Sequence, residues 1–194
     1  MNKTHPKNLE GKQAIINNRY WLYESAISKE QCELIIKEAN WSTKHSAEYM
    51  DPHGSVTNND IRKTTVTFAP YYSPVGCIMS MHIIQINKTQ WNYDIEAIQD
   101  IQIGHYEIGG HYDWHFDTMP PDDNNMQRKL SAVLMLSDSN DYEGGELELK
   151  HVTPLKLTQG SIVVFPSPIE HRVLPITKGE RYSAVAWAVG PSFR

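Results

Sequence analysis

The chain has very little cysteine: Cys32 and Cys77 are its only two. Two isolated cysteines provide neither a disulfide framework nor a cluster of thiolate metal ligands. Long apolar runs are also missing. No stretch reaches the length of a transmembrane helix, and the first 13 residues, MNKTHPKNLEGKQ, lack the apolar segment of a signal peptide. We therefore expect no membrane partner and a cytoplasmic protein.

Positive charge is in deficit as well. The chain has 18 Lys and Arg residues against 23 Asp and Glu residues, which gives a formal net charge of −5 at pH 7. Nucleic-acid binding depends on a basic surface, so this balance argues against a nucleic-acid partner. The length of 194 residues, with 40% hydrophobic and 21% charged residues, is typical of one soluble globular domain. Nothing in the pattern indicates an oligomeric state.

Residues 1–100 are predicted to form a supporting region of helices and strands. Ser28-x-x-Gln31 fits a capping box, in which two side chains close the first turn of a helix. Residues 74–90 predict a second helix, whereas the polar segment 45–60 predicts a mobile loop. The second helix carries a stripe of Ile78, Met81, His82 and Gln85.

Residues 101–190 have a different texture, because short β-like runs alternate with turn material. The runs are IQIGHYEI, HYDWHFD, KLSAVLMLS, GELELK, GSIVVFP and RYSAVAWAV. Many short strands at this spacing predict a sandwich or a barrel. We therefore expect a single α+β domain over residues 1–194, with an all-β core in its second half.

The stretch HYDWHFD, residues 111–117, contains two overlapping His-x-Asp pairs, and either could bind a metal ion. The composition predicts roughly half of one such pair by chance, so a single pair is weak evidence. We favour His115 and Asp117, because they precede the loop 118–127 and so lie where a site can admit substrate. His111 and Asp113 lie beside Gly109-Gly110, where local hydrogen bonding is expected.

A hairpin at Gly109-Gly110 would place Tyr106 in one cavity with His115 and Asp117. The opposite, apolar face would then pack on helices; it consists of Ile101, Ile103, Tyr112, Trp114 and Phe116. His171 is a candidate third ligand, although composition alone favours a surface histidine in a proline-rich loop. Two histidines and one aspartate on one face of an ion suit Fe(II), Mn(II) or Co(II), and zinc is also possible.

Several ordered motifs resemble those of prolyl 4-hydroxylase-like 2-oxoglutarate/Fe(II) dioxygenases. YEIGGHYDWHFD fits the spacing Y-x-x-G-x-x-Y-x-x-H-x-D, and YEGGELEL (142–149) is similar to the family's F/Y-x-G-G-E-L strand. GSIVVFPSPIEHRVLPITKGERYSAVAW (160–187) resembles its terminal stretch, in which a distal histidine precedes a basic residue by about ten positions. The resemblance covers roughly residues 20–190, and its nearest type is the bacterial and phage PKHD-type hydroxylase.

The resemblance implies a double-stranded β-helix, a jelly-roll or cupin-like core, buttressed by the N-terminal helices. It implies Fe(II), 2-oxoglutarate and O2 as cofactor and cosubstrates, with ascorbate as a candidate reductant. The implied reaction hydroxylates an unactivated C–H bond of a prolyl or similar residue in a peptide or protein. A free amino acid or small metabolite is the alternative substrate, and a non-catalytic metal-binding module is a third possibility. A DNA-repair substrate is disfavoured by the acidic balance.

The resemblance also assigns roles to individual residues. His115, Asp117 and His171 would bind iron, and Arg181 would hold the distal carboxylate of 2-oxoglutarate with help from Ser183 and Tyr106. Some relatives have, at the position of Met135, a tyrosine that contacts the cosubstrate carboxylate. Methionine cannot donate a hydrogen bond, so Ser183 or Ser131 would make that contact here. Tyr112 and Trp114 are assigned to the core, and Arg128 to a structural role. The loops 45–60 and 118–127 would flank the mouth of the site.

Overall fold

The computed structural model describes residues 14–16, 19–47, 49–51 and 54–193. Its first half contains eight short strands and two α-helices. They are β1 (Ala14–Ile16), β2 (Trp21–Tyr23), α1 (Lys29–Glu38), β3 (His45–Ser46), β4 (Tyr49–Asp51), β5 (Gly54–Val56), β6 (Arg62–Lys63), β7 (Thr65–Ala69), α2 (Pro74–Gln90) and β8 (Ala97–Ile98). The helices are no longer than 17 residues, and no helix in the described ranges is long and apolar enough to cross a membrane.

The second half contains nine further strands and no α-helix within the described residues. They are β9 (Ile101–Tyr106), β10 (His111–His115), β11 (Met126–Met135), β12 (Tyr142–Gly144), β13 (Leu147–Leu149), β14 (Ile162–Pro166), β15 (His171–Val173), β16 (Ile176–Gly179) and β17 (Arg181–Pro191). The prediction of many short strands after residue 100 is confirmed. The molecule is therefore mostly β-sheet.

Two sheets carry the core. The large sheet has the strand order β1-β2-β14-β11-β17-β9-β7-β3, with β8 paired to β17, and the small sheet has the order β13-β15-β10-β6. Strand β11 lies at the centre of the large sheet and alternates between its two faces. Leu130 and Leu134 pack with the helices on one face, whereas Val133 packs with the small sheet on the other. The candidate site lies between the two sheets.

Both helices begin at serine caps. Ser28 and Gln31 form the predicted capping box, since each side chain accepts a hydrogen bond from the other residue's backbone N–H. Helix α2 starts at Pro74, and the Ser73 side chain accepts from the N–H of Gly76. Within the predicted stripe on α2, His82 is buried and Ile78 packs against the core, whereas Met81 is 50% exposed. The residues that α2 buries are Val75, Gly76, Met79, His82, Ile83, Ile86 and Asn87.

The predicted hairpin at Gly109-Gly110 is wrong. Strand β9 pairs with β7 and β17 in the large sheet, whereas β10 pairs with β6 and β15 in the small sheet. The glycine pair thus carries the chain from one sheet to the other. Gly109 has a φ of +78°, and a Cβ added to Gly110 would lie 2.7 Å from the carbonyl oxygen of Glu107. These constraints explain why glycine occupies both positions.

The segment 45–60 also differs from the predicted loop. Its described part contains β3, which pairs with β7, and the two-stranded hairpin of β4 and β5. Residues 48, 52 and 53 lie outside the described residues. Segment 118–127, by contrast, forms a connection between β10 and β11 with no regular element before Met126.

Candidate metal and cosubstrate site

The pairing of β10 with β15 brings the predicted histidines together. His115 and His171 occupy opposite positions in this antiparallel pair, and their ring centroids lie 4.1 Å apart. Asp117 follows His115 by two residues, and its backbone N–H donates to the carbonyl of Ser167. The structure therefore places His171 beside His115 and Asp117, and His171 is 4% exposed rather than facing solvent.

The three side chains present metal-ligand atoms to one point. The ligand atoms of His115, Asp117 and His171 all lie within 4.8 Å of one another. Asp117 Oδ1 is 3.8 Å from His115 Nε2, and Asp117 Oδ2 is 3.5 Å from His171 Nε2. Two imidazole nitrogens and one carboxylate oxygen form the donor set of a facial triad, which suits Fe(II) and leaves coordination positions open.

Backbone carbonyls set the tautomers of both histidines. His115 Nδ1 lies 2.8 Å from the carbonyl oxygen of Asp113, and His171 Nδ1 lies 2.9 Å from that of Ile169. A carbonyl can only accept, so each Nδ1 carries the proton and each Nε2 keeps its lone pair. The lone pairs point to the space shared with Asp117, as a metal ion requires.

Burial and local charge favour the same protonation states. Burial, and then the neighbouring His171, lower the pKa of His115, so this imidazole is neutral near pH 7. Burial alone would raise the pKa of Asp117, but His171, His115 and the Ser131 hydroxyl outweigh it and the pKa is lowered. The ionised carboxylate of Asp117 therefore faces the neutral imidazole of His115.

The triad opens into a cavity of about 1030 Å³ between the two sheets. Exposed aromatic side chains stand at its rim, including Phe68 and Phe116. Its charged and polar lining consists of His45, Arg62, Gln102, Tyr106, Tyr112, His115, Asp117, Thr118, Arg128, His171, Arg181 and Ser183. Among the described lining residues Asp117 is the only acidic one, whereas three are arginines, so the cavity suits anions.

Tyr112 and Trp114, assigned to the core from the sequence, both line this cavity, and Tyr112 also packs against the neighbouring buried cluster. The Tyr112 ring stacks on His115 with a centroid distance of 3.4 Å, and the guanidinium of Arg62 lies over the Tyr112 ring, 4.4 Å from its centroid. The register of β10 against β15 shifts between Tyr112 and His115, which breaks the strict alternation that the sequence argument assumed.

Arg181 is a buried cation that lines the cavity. It is 1% exposed, and its Nη1 donates to Ser183 Oγ at 3.0 Å. Its Nε and Nη2 are buried and have no hydrogen-bond partner among the described residues. The guanidinium lies 5.1 Å from the centroid of the Tyr106 ring. Two unpaired donors of a buried guanidinium match an incoming carboxylate, which can accept both.

Met135 lies in a buried cluster that also contains Tyr106 and Tyr142. The Tyr142 hydroxyl, from β12, approaches the Met135 sulfur at 3.7 Å. Burial raises the pKa of Tyr142, and the nearby positive charge of Arg181 opposes that rise. A hydroxyl from another strand therefore stands close to the arginine where Met135 supplies none. Sequence reasoning missed Tyr142, because it belongs to the YEGGELEL motif and reads there as a core residue.

Arg128 is a further cavity residue that the sequence argument treated as structural. Its guanidinium lies 3.9 Å from the centroid of the Trp187 ring, and its Nε donates to Gln99 Oε1 at 2.9 Å. No carboxylate lies within ion-pair distance of it in the described part of the chain. The register of β11 against β17 shifts between Arg128 and Leu130.

A second group of potential metal ligands, His105, Glu107 and Glu180, lies at the edge of the large sheet. His105 Nε2 is 3.0 Å from Glu180 Oε2, and the His105 ring stacks on Tyr182. Both glutamates are exposed. This hydrogen bond and stack account for the arrangement without an ion.

The fold and the triad can be compared with those of known families. Residues 101–189 match the model of the 2OG-Fe(II) oxygenase superfamily. This segment carries the triad and Arg181. Curated relatives and solved structures are also similar to this chain, and the resemblance to prolyl 4-hydroxylase-like oxygenases of the PKHD type is confirmed.

Curated relatives are similar over part of the chain. A PKHD-type hydroxylase of Teredinibacter turnerae is 36% identical over 98 residues, which cover 47% of this chain and 43% of the relative. A PKHD-type hydroxylase of Synechococcus sp. (strain CC9902) is 40% identical over 96 residues, which cover 48% of this chain and 42% of the relative. The matched segment thus spans less than half the length of these relatives.

Solved structures are similar over most of the chain. The viral collagen prolyl hydroxylase of Paramecium Bursaria Chlorella virus-1 gives a TM-score of 0.69 at 19% identity, covering 89% of this chain and 96% of that one. A prolyl hydroxylase from Trichoplax adhaerens, in complex with a peptide fragment, gives 0.71 at 17% identity, covering 88% and 83%. At this identity the likeness shows the fold, which is jelly-roll-like.

Proposed function

We propose that this protein is a 2-oxoglutarate- and Fe(II)-dependent hydroxylase of an unactivated C–H bond. One observation carries the proposal: a His-Asp-His triad and a buried arginine with two unpaired donors, Arg181, open into the same cavity. The triad suits a ferrous ion, and the arginine suits one end of a dicarboxylate. A purely structural metal site has no need of the second feature.

The proposed roles follow from the contacts of each side chain. His115, Asp117 and His171 would hold the iron. Arg181 would bind the distal carboxylate of 2-oxoglutarate through a forked pair of hydrogen bonds. Ser183, already hydrogen-bonded to Arg181, fixes the plane of the guanidinium. With iron bound, the cosubstrate and O2 supply the oxidation, giving succinate, CO2 and an alcohol on the substrate.

The chain's other residues orient this centre and shield it. Tyr106, which is 5% exposed, closes one side of Arg181 and could donate a hydrogen bond to the cosubstrate. The stacked Tyr112 restricts the ring of His115 to one plane. Apolar side chains line the inner wall and limit the entry of water; they are Val133, Leu147, Val173 and Val185.

The first candidate substrate is a prolyl residue of a peptide. Support comes from the names of the similar structures, which are prolyl hydroxylases, one of them bound to a peptide fragment. The open rim also suits an extended chain, because Phe68 and Phe116 are 47% and 58% exposed beside the cavity. Exposed aromatic residues at a cavity mouth are typical of recognition surfaces.

The second candidate is a free amino acid or another small carboxylate. Arg128 favours it, because this cavity arginine has no carboxylate partner within the described ranges and lies 3.9 Å from the Trp187 ring centroid. A substrate carboxylate could supply the missing counter-charge. The two candidates differ in what Arg128 contributes: an anionic metabolite depends on its charge, whereas an internal prolyl residue of a peptide carries no carboxylate.

The test of the chemistry uses the whole chain without oxygen. Fe(II) and 2-oxoglutarate are added anaerobically, and the weak visible charge-transfer band is recorded; air is then admitted and succinate is measured. We expect the band and succinate in the wild type, and neither with His171→Ala. A band with no succinate under any substrate would indicate a binding module.

The test of the substrate compares proline-containing peptides with free amino acids and small carboxylates, using succinate formed above the uncoupled rate. Arg128→Gln keeps hydrogen-bonding groups but removes the charge. We expect turnover of peptide to fall little with this variant, and turnover of an anionic metabolite to fall about tenfold or more. If only peptides stimulate succinate formation, the second candidate is excluded.

A further inference from the structure

Two buried serines lie directly behind the metal-ligand carboxylate. Ser131 Oγ donates to Asp117 Oδ2 at 2.7 Å, and Ser131 Oγ lies 2.9 Å from Ser167 Oγ. Both serines are fully buried, with 0% exposure. Ser131 comes from the middle of β11 and Ser167 follows β14, so tertiary pairing of these strands creates the arrangement.

The direction of each hydrogen bond in this chain is fixed. The Asp117 carboxylate can only accept, so the single proton of Ser131 points to it. Ser131 then has only lone pairs to offer Ser167, and Ser167 must donate. The order is therefore Ser167 to Ser131 to Asp117, and hydrogen bonds aligned in this way strengthen one another.

Ser167 also holds the backbone of the same ligand. Its carbonyl oxygen accepts from the N–H of Asp117 at 3.2 Å and from that of Thr118 at 3.3 Å, and its own N–H donates to the carbonyl of Lys129 at 3.0 Å. One short segment thus fixes both the main chain of Asp117 and, through Ser131, its side chain. Asp117 is the ligand that directly precedes an irregular connection, where such support matters most.

We infer that Ser131 and Ser167 are positioning residues for the metal-ligand carboxylate, an inference that rests on the proposed function. The Ser131 hydroxyl engages Oδ2 and holds the carboxylate in one rotation. Oδ1, on the side of His115, accepts no hydrogen bond from the described residues and stays available to an ion. Without Ser131 the carboxylate could rotate about its χ2 bond, and the donor set would no longer be preorganised.

The test measures metal binding rather than turnover. The full chain and the variants Ser131→Ala and Ser167→Ala are titrated anaerobically with Fe(II), and separately with Co(II), whose visible absorption reports ligand geometry. We expect Ser131→Ala to weaken binding about 10- to 100-fold and to change the Co(II) spectrum. Ser167→Ala should shift both in the same direction by less, because it acts through Ser131.

Ser161→Ala is the matched control. Ser161 is equally buried at 0% exposure, hydrogen-bonds Thr158 and lies outside the cavity lining. We expect wild-type metal affinity and an unchanged Co(II) spectrum for this variant. A loss of affinity equal to that of Ser131→Ala would show that any buried serine has the same effect, and would overturn the inference.

A second pair of variants keeps the test decisive if Ser131→Ala does not fold. Ser131→Thr and Ser131→Val have the same shape, and only threonine retains the hydroxyl. The inference requires tighter metal binding by the threonine variant than by the valine variant. Equal affinity in two folded variants overturns it and leaves the proposed function intact. A wild-type chain that binds neither Fe(II) nor Co(II) overturns the proposed function and this inference together.

Discussion

Replacing Arg181 by methionine should make the ligand-free protein more stable. The guanidinium is 1% exposed, and two of its nitrogens, Nε and Nη2, have no partner among the described residues. A buried unsatisfied polar group costs about 1–3 kcal/mol, so this arginine costs the unliganded fold about 2–6 kcal/mol. Methionine has a similar flexible stem and no charge.

The gain is reduced by what the substitution removes. The Nη1 to Ser183 Oγ bond at 3.0 Å is lost, and Ser183 is then left without that donor. Subtracting about 1–3 kcal/mol for this loss leaves a net stabilisation on the order of 1–3 kcal/mol. For a chain of this length, each kcal/mol corresponds to about 2–4 °C in Tm. The same variant should lose 2-oxoglutarate binding, because no fork remains for the carboxylate.

The assay is thermal unfolding with and without 2-oxoglutarate, with Mn(II) held constant. We expect Arg181→Met to raise Tm without the cosubstrate, and only the wild type to gain stability when it is added. Arg172→Met is the control, because Arg172 Nε donates to Glu148 at 2.7 Å and its loss should not stabilise. A lower Tm for Arg181→Met without the cosubstrate, or an equal gain with it, would refute the reasoning.

Two further predictions concern histidine and tyrosine side chains. His82 is 2% exposed beside the Trp21 and Tyr23 rings, and burial lowers its pKa. Below pH 6.5 the unfolded chain gains a proton at His82 that the folded chain resists. As the pH is lowered below 6.5, the free energy of unfolding therefore decreases by up to about 1.4 kcal/mol per pH unit. In urea unfolding between pH 7 and pH 5, His82→Phe should show a smaller decrease than the wild type. Tyr112→Leu should weaken Fe(II) binding by removing the stack on His115, whereas Tyr72→Leu, at an exposed tyrosine, should not; equal metal titrations would contradict this.

The sequence allowed the local part of the site to be predicted. His115 and Asp117 lie two residues apart, so they could be recognised as a pair. The many short strands after residue 100 could be predicted because apolar and polar side chains alternate along them. His171 and Arg181 needed more, because they lie 56 and 66 residues beyond His115 in the chain. Only the ordered family motifs linked them to the His-x-Asp pair.

Features that depend on strand partners could not be predicted. A Gly-Gly pair between two β-like runs is the ordinary signal of a hairpin, yet here it joins two sheets. The register shift before His115 then turned Tyr112 into the cavity. Ser131 and Ser167 meet only because β11 pairs with β14, and single-sequence periodicity contains no record of which strands are neighbours.

The pairing of the triad with two different sheets has a mechanical consequence. His115 and His171 belong to the small sheet, whereas Asp117 is tied through Ser131 to the large one. An ion bound by His115, Asp117 and His171 would cross-link the two sheets, since it binds only when both sheets are in place. Removing the ion with a chelator should then increase hydrogen exchange first in the strands around the triad, whereas the side of the large sheet that packs on the helices should stay protected.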